Sequence, residues 1–214
     1  MERKYRKLPK DETELQDREA QGLWRAIALA KKVGEGEEKI SLDVILHIHK
    51  TMLVEAIPNV AGRFRMDGED IKKLRSHEPP PGRVVIEQMH VFWREFDTRL
   101  AKISRRPKKQ TKTQRRMWFG DIIGLGAWVH HQISYIHPFC DGNGRMARLM
   151  TNVILSRFGL PPTRVKYEGE NKEAYLQALC RIDLHGDYES LKQLIARSVL
   201  EGYKREEVLR KRNR

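Results

Sequence analysis

Ile136-His137-Pro138-Phe139-Cys140-Asp141-Gly142-Asn143-Gly144-Arg145-Met146-Ala147-Arg148 is a loop running into a helix, and the rest of the chain reads as scaffolding around it. From Arg145 onward, Met146, Leu149, Met150, Val153, Ile154 and Phe158 recur at the spacing of one buried helical face, with Gly159 and Pro161 as the stop. Gly142-Asn143-Gly144 therefore falls at a helix N-terminus. The first amide N–H groups there lack intrahelical partners, the macrodipole is positive, and two residues without side chains let an anion approach the backbone. Arg145 and Arg148 share one helix surface, and two guanidinium forks beside free amides suit an oligophosphate. Asp141 adds a hard oxygen ligand for the Mg²⁺ that accompanies such phosphates, and His137 is a base able to work near neutral pH. A dinucleotide reading of Gly142-x-Gly144-x-x-Ala147 lacks its context, because Ile122–Ile133 upstream reads as helix and not strand.

At 214 residues, with 39% hydrophobic residues and four Trp, the chain is long enough for one domain with a real core. Lys and Arg number 42 against 29 Asp and Glu, a net charge of +13 that attracts nucleic acid, anionic membranes, acidic proteins or nucleotides without choosing among them. Cys140 and Cys180 make no disulfide framework, so a reducing, cytoplasmic setting is the expectation. The charged start, Met1 to Lys7, leads into no apolar run, and neither a signal peptide nor a membrane-spanning helix is expected.

In chain order, residues 1–10 read as a flexible basic lead-in, 11–204 as a single domain and 205–214 as a basic tail. A first helix runs from Asp11 to about Lys32, and Ser41 caps a second with Val44, Ile45, Ile48 and Met52 inward. His47 and His49, two apart, share no helix face and read as surface or core histidines instead of a metal site. Val84–Leu100 is a helix with Val85, Met89, Phe92, Trp93 and Phe96 inward. Residues 105–116 carry seven basic residues in twelve and read as a solvated loop, the one candidate for a nucleic-acid contact. No aromatic residue interleaves them, so a single-strand stacking platform is unsupported. Trp118–Ile133 is the helix that delivers the loop. Helices near Asn171–Ile182 and Tyr188–Arg210 follow, with a break at Asp183–Asp187. The fold class is all-α.

The stretch His137 to Arg148 resembles, at every specified position, the Fic-family signature His-Pro-Phe-x-Asp/Glu-Gly-Asn-Gly-Arg-x-x-Arg, and Gly62-Arg63-Phe64-Arg65 resembles that family's lead-in to a β-hairpin flap. The resemblance covers about residues 12–200 in the order of its parts. It implies a compact helical domain with a small hairpin through Asp70-Ile71-Lys72, whose edge holds an extended segment of a target protein. It also implies transfer of AMP from ATP to a Ser, Thr or Tyr hydroxyl. His137 would take the hydroxyl proton and Asp141 would hold Mg²⁺. Gly142, Asn143, Gly144 and Arg145 would bind the nucleotide, and Arg148 its γ-phosphate. Cys140 fills the variable slot and reads as a packing thiol.

Gly144 stands where the kinase-like Doc branch carries Lys, which favours AMP transfer. The alternatives are a Doc-type phosphotransferase and a non-catalytic nucleotide-binding module. Many members of the family are held off by a glutamate that pairs with the second motif arginine. The expected candidate is Glu201-Gly202 in the last helix, with Glu19-Ala20 a poorer match and a separate inhibitory partner protein a further option.

Overall fold

The computed structural model describes residues 8–36, 39–69, 71, 78–103, 111–163 and 170–212. They form α1 (Glu12–Glu35), α2 (Leu42–Leu53), α3 (Gly82–Ala101), α4 (Lys112–Ile136), α5 (Asn143–Arg157), α6 (Glu170–His185) and α7 (Glu189–Arg212). No strand occurs among the described residues, as an all-α class requires. None of these helices is long and apolar enough to cross a membrane.

Local chemistry starts each of the first two helices. The Asp11 side chain accepts from the Glu14 amide, with acids in the first turn of α1, and Ser41 accepts from the Val44 amide at the head of α2. α1 packs against α2 and α5 at backbone range. A Cβ on Gly22 would lie 2.0 Å from the Met52 carbonyl oxygen, and one on Gly34 would lie 2.6 Å from that of Val153. These two contacts seat α1 on the end of α2 and on the C-terminal part of α5.

α4 is buried almost all round from Leu125 to Ile136 and forms the core that α3, α5 and α7 cover. The aromatic stripe of α3 meets it directly: Phe92 stacks on Trp128 with ring centroids 5.3 Å apart, and Trp93 and Phe96 pack alongside. Two buried polar joints tie α4 to the C-terminal helices. His131 Nε2 lies 2.8 Å from Asp183 Oδ1, and His130 Nε2 lies 2.8 Å from the Tyr175 hydroxyl.

Several boundaries differ from the sequence expectation for identifiable reasons. α4 begins at Lys112, inside the basic stretch, because Thr111 and Gln114 form a reciprocal capping box. Lys112, Arg115 and Arg116 thus belong to the start of α4, while residues 104–110 lie outside the described set. α6 runs on to His185, three residues into the expected break, since Asp183 is engaged by His131 and the chain turns only at Gly186, with φ +66°. α7 continues to Arg212, so most of the expected basic tail is helix. Arg63–Glu69 is an irregular turn in place of a strand; the far arm of the expected hairpin, at Asp70 and Lys72, lies outside the described residues, as do residues 1–7.

Candidate active site

α4 ends on His137, which caps the helix in the left-handed region, φ 51° and ψ 57°, the one non-glycine residue with positive φ among those described. Such a conformation costs about 1–2 kcal/mol and persists only where neighbours hold it. Arg65, 4% exposed, supplies the hold. Its Nε donates to the His137 carbonyl at 2.7 Å, its backbone N–H donates to the Pro138 carbonyl at 2.9 Å, and its Nη2 reaches the carbonyls of Pro80 and Ile136. The His137 ring is buried, and Nδ1 lies 3.3 Å from the Ser134 carbonyl. A carbonyl only accepts, so Nδ1 carries the hydrogen and Nε2 the lone pair.

The loop is braced from within by Asn143. Its Oδ1 accepts from the Phe139 amide at 2.9 Å and its Nδ2 donates to the Phe139 carbonyl at 2.7 Å. The Asn143 side chain, expected at the nucleotide, thus also ties the loop to itself. Phe139 is fully buried, stacked on His49 at 3.8 Å with Phe64 beside it.

Gly142 is the N-cap of α5, with φ 82° and no side-chain cap over the first-turn amides. A Cβ there would point inward, 2.7 Å from Met52 Cε, so this glycine serves the turn and its packing and not the approach of an anion. Gly144 does face the open side. A Cβ on it would meet Arg148 Nη1 at 3.6 Å, which places Arg148 over the first turn of α5. The Asp141 carboxylate accepts from the Gly142 amide and, at 3.2 Å, from Arg145 Nη2. First-turn amides, two guanidinium groups and one carboxylate thus converge a few residues from His137.

Arg145 also reaches across to α1, where its Nη1 donates to Glu19 Oε1 at 2.9 Å. Glu201, the expected inhibitory residue, lies on the surface of α7 with its carboxylate toward Arg205 at 3.8 Å. The structure therefore brings Glu19 to the motif arginines, at Arg145 and not at Arg148, and assigns Glu201 no part in the site. Glu19 was the poorer of the two candidates in sequence because its place beside Arg145 depends on how closely α1 packs on α2 and α5, at Gly22 and Gly34, and not on a local motif.

The Arg63–Glu69 turn is fastened to the site by Glu69. It pairs with Arg63, accepts from the Met66 amide, and accepts from the Cys140 thiol at 3.3 Å. Hydrogen bonding to Arg63 holds the Glu69 carboxyl down to about 2, while burial and the Glu69 hydrogen bond push the Cys140 thiol up to about 11. Cys140 is thus a protonated tie between the loop and the Arg63–Glu69 turn. Sequence reading missed Arg65, Glu69 and His49 as site-builders; the Gly62-x-Phe64-Arg65 string was the available signal for the first.

The described residues hold no group of three or more metal-ligating side chains. The donor set still fits Mg²⁺ arriving with a nucleotide, since that ion is commonly held by one or two carboxylates plus substrate phosphates, and Asp141 stands beside an anion cradle.

The family model described as Fic/DOC matches residues 39–155. Protein adenylyltransferase Fic of Nematostella vectensis is 32% identical over 162 residues, covering 75% of this chain and 32% of the relative. Protein adenylyltransferase fic-1 of Caenorhabditis elegans is 32% identical over 133 residues, 61% of this chain and 22% of the relative. The chain thus spans a third or less of the length of these curated relatives. Among solved structures, C. elegans Fic-1 is similar with a TM-score of 0.69 at 25% identity, covering 94% of this chain and 53% of that one. BepC of Bartonella tribocorum, solved with AMPPNP, is similar in fold at 16% identity, with a TM-score of 0.59 over 88% of each chain.

Proposed function

Because the chain belongs to the Fic/DOC family, whose model matches residues 39–155, we propose that it is a protein adenylyltransferase moving AMP from ATP to a Ser, Thr or Tyr hydroxyl of a target protein. The observation that carries this reading is the convergence of His137, its Nε2 lone pair set by the Ser134 carbonyl, with the uncapped first turn of α5 and Arg145. The names of the relatives from Nematostella and Caenorhabditis point the same way.

In this mechanism the target hydroxyl oxygen bonds to the α-phosphorus as the bond to the β-phosphate oxygen breaks. His137 Nε2 takes the hydroxyl proton and pyrophosphate leaves. The backbone amides at the head of α5 and the Arg145 guanidinium stabilise charge on the transferring and leaving groups, and Arg148 binds the γ-phosphate. Asp141 would hold Mg²⁺ arriving with the nucleotide, and that ion would supply further charge neutralisation. Asn143 and Arg65 hold the backbone of the loop through the Phe139 and His137 carbonyls.

Glu19 acts as an intramolecular brake in this reading, since its carboxylate occupies the Arg145 fork that a phosphate would use. A kinase-like reaction is disfavoured by Gly144, which leaves the backbone open where the Doc branch has Lys. Incubation with ATP labelled at the α or the γ position, in the presence of lysate, tests the assignment. Protein labelled from the α position alone is expected. Label from the γ position alone would make the protein a kinase, and nucleotide binding without either label would make it a binding module.

A further inference from the structure

His49 of α2 is fully buried, and its three contacts all fall on parts of the site. Gly62 donates its amide to Nδ1 at 2.9 Å. Nε2 lies 3.0 Å from the Asp141 carbonyl. The ring stacks on Phe139 with an interplanar angle of 8°. An amide N–H can only donate and a carbonyl can only accept, so both polar contacts are met by one form of the ring, neutral with its hydrogen on Nε2. Gly62 is itself pressed onto α2: its φ is +74°, and a Cβ on it would lie 2.6 Å from Lys50 Cβ. On the other side, the Cβ position of Gly142 is 3.5 Å from His49 Nε2, so the ring also lies under the head of α5.

We infer that His49 is a positioning residue whose neutral Nε2–H ring fixes the spacing between the turn at Gly62 and the Asp141–Gly142 peptide, and thereby the geometry in which nucleotide is held. A rigid ring joins two backbone groups from segments far apart in sequence, with no other side chain making both contacts among the described residues. Groups behind a ligand-holding residue of this kind typically alter metal affinity or activity about 10- to 100-fold when removed. The inference rests on the nucleotide-binding part of the proposed function and not on which phosphorus reacts.

The two contacts can be separated chemically. The Asn carboxamide oxygen comes near the position of Nδ1, the Gln carboxamide nitrogen comes near that of Nε2, and Phe keeps the stacking surface while removing both. ATP with Mg²⁺ is titrated calorimetrically into wild type, His49→Phe, His49→Gln and His49→Asn, and hydrogen exchange is followed at Gly62. In wild type, nitrogen NMR of the imidazole should report an unprotonated Nδ1 and a protonated Nε2. His49→Phe should lose about 10- to 100-fold in Mg²⁺–ATP affinity. His49→Gln should recover most of that affinity while the Gly62 amide exchanges fast, and His49→Asn should protect Gly62 without recovering the affinity. Wild-type affinity in His49→Phe, the opposite tautomer, or equal behaviour of the Gln and Asn variants would overturn the inference. Should His49→Phe not fold, the Gln and Asn pair carries the same test. Absence of AMP transfer by the wild-type protein would sink the transferase reading and leave these outcomes unchanged.

Discussion

At the scale of single residues, the loop divides its work between side chains that do chemistry and side chains that hold backbone. His137 belongs to the first group, and removing its imidazole leaves the amides of α5, Asp141 and Arg145 in place. His137→Ala is therefore expected to lower AMP transfer by at least about 100-fold, the usual contribution of a positioned base, with ATP affinity unchanged. Label transfer at the wild-type rate would show that another group takes the proton. Gly142 belongs to the second group. A methyl there meets a left-handed φ, while the nearby Met52 Cε can swing aside, so Gly142→Ala should destabilise the fold by about 1–2 kcal/mol, read from urea unfolding. A variant as stable as wild type would mean that the turn relaxes without strain. Chemistry was legible here from the string His137 to Arg148, because the residue types that bind phosphate and move protons are few. The task of Asn143 was not legible, since an amide that braces a loop and one that meets a ligand look alike in sequence.

At the scale of elements, α1 is the part whose role changes most between sequence and structure. Its apolar spacing and Asp11 cap mark it as a helix, yet the residues around Glu19 do not announce that this carboxylate lands on Arg145, because the landing depends on which helices Gly22 and Gly34 let α1 approach, a long-range pairing. Glu201 has the better-looking following glycine, but Gly202 packs against Pro161, where a Cβ would come within 2.6 Å, and the acid points to Arg205. Glu19→Gln should therefore raise ATP affinity and transfer together, by about 5- to 150-fold, the usual span for coupling of this kind, while Glu201→Gln leaves both alone. Calorimetry and α-label transfer read the two effects side by side. An unchanged affinity in Glu19→Gln would remove α1 from control of the site. Boundaries failed in the sequence reading for a similar reason: α4 starts early because Thr111 and Gln114 cap each other within a stretch whose charge suggested loop.

At the scale of the whole molecule, the order of helices and the buried faces of α3, α4 and α5 follow from apolar periodicity, whereas the polar joints between α4 and the C-terminal helices do not, since pairing across long separations leaves no local pattern. The joint at His130 sets the last expectation. The Thr151 hydroxyl donates to the Ala147 carbonyl at 2.8 Å, so at 3.2 Å from His130 Nδ1 it accepts, and Nδ1 must carry the hydrogen. Nε2 is then left to accept from the Tyr175 hydroxyl. Burial, helped by the positive charges of Arg148 and His131, holds His130 down from 6.5 to about 3. The folded value lies below the unfolded one, so between the two the unfolded chain binds more protons, and the stabilisation is complete above pH 6.5 and lost as pH falls toward 3. His49, held at about 4 chiefly by burial, adds a contribution of the same sign. Most carboxylates titrate below pH 5, so in the interval from 6.5 to 5 His130 and His49 each contribute a slope that approaches about 1.4 kcal/mol per pH unit. Urea unfolding at pH 7, 6 and 5 should show stability falling across that interval. His130→Gln should be less stable throughout but lose about half of the slope, because His49 still titrates in it. A variant with the full wild-type slope would show that the proton is taken up elsewhere, and that the joint between α4, α5 and α6 tolerates a charged ring.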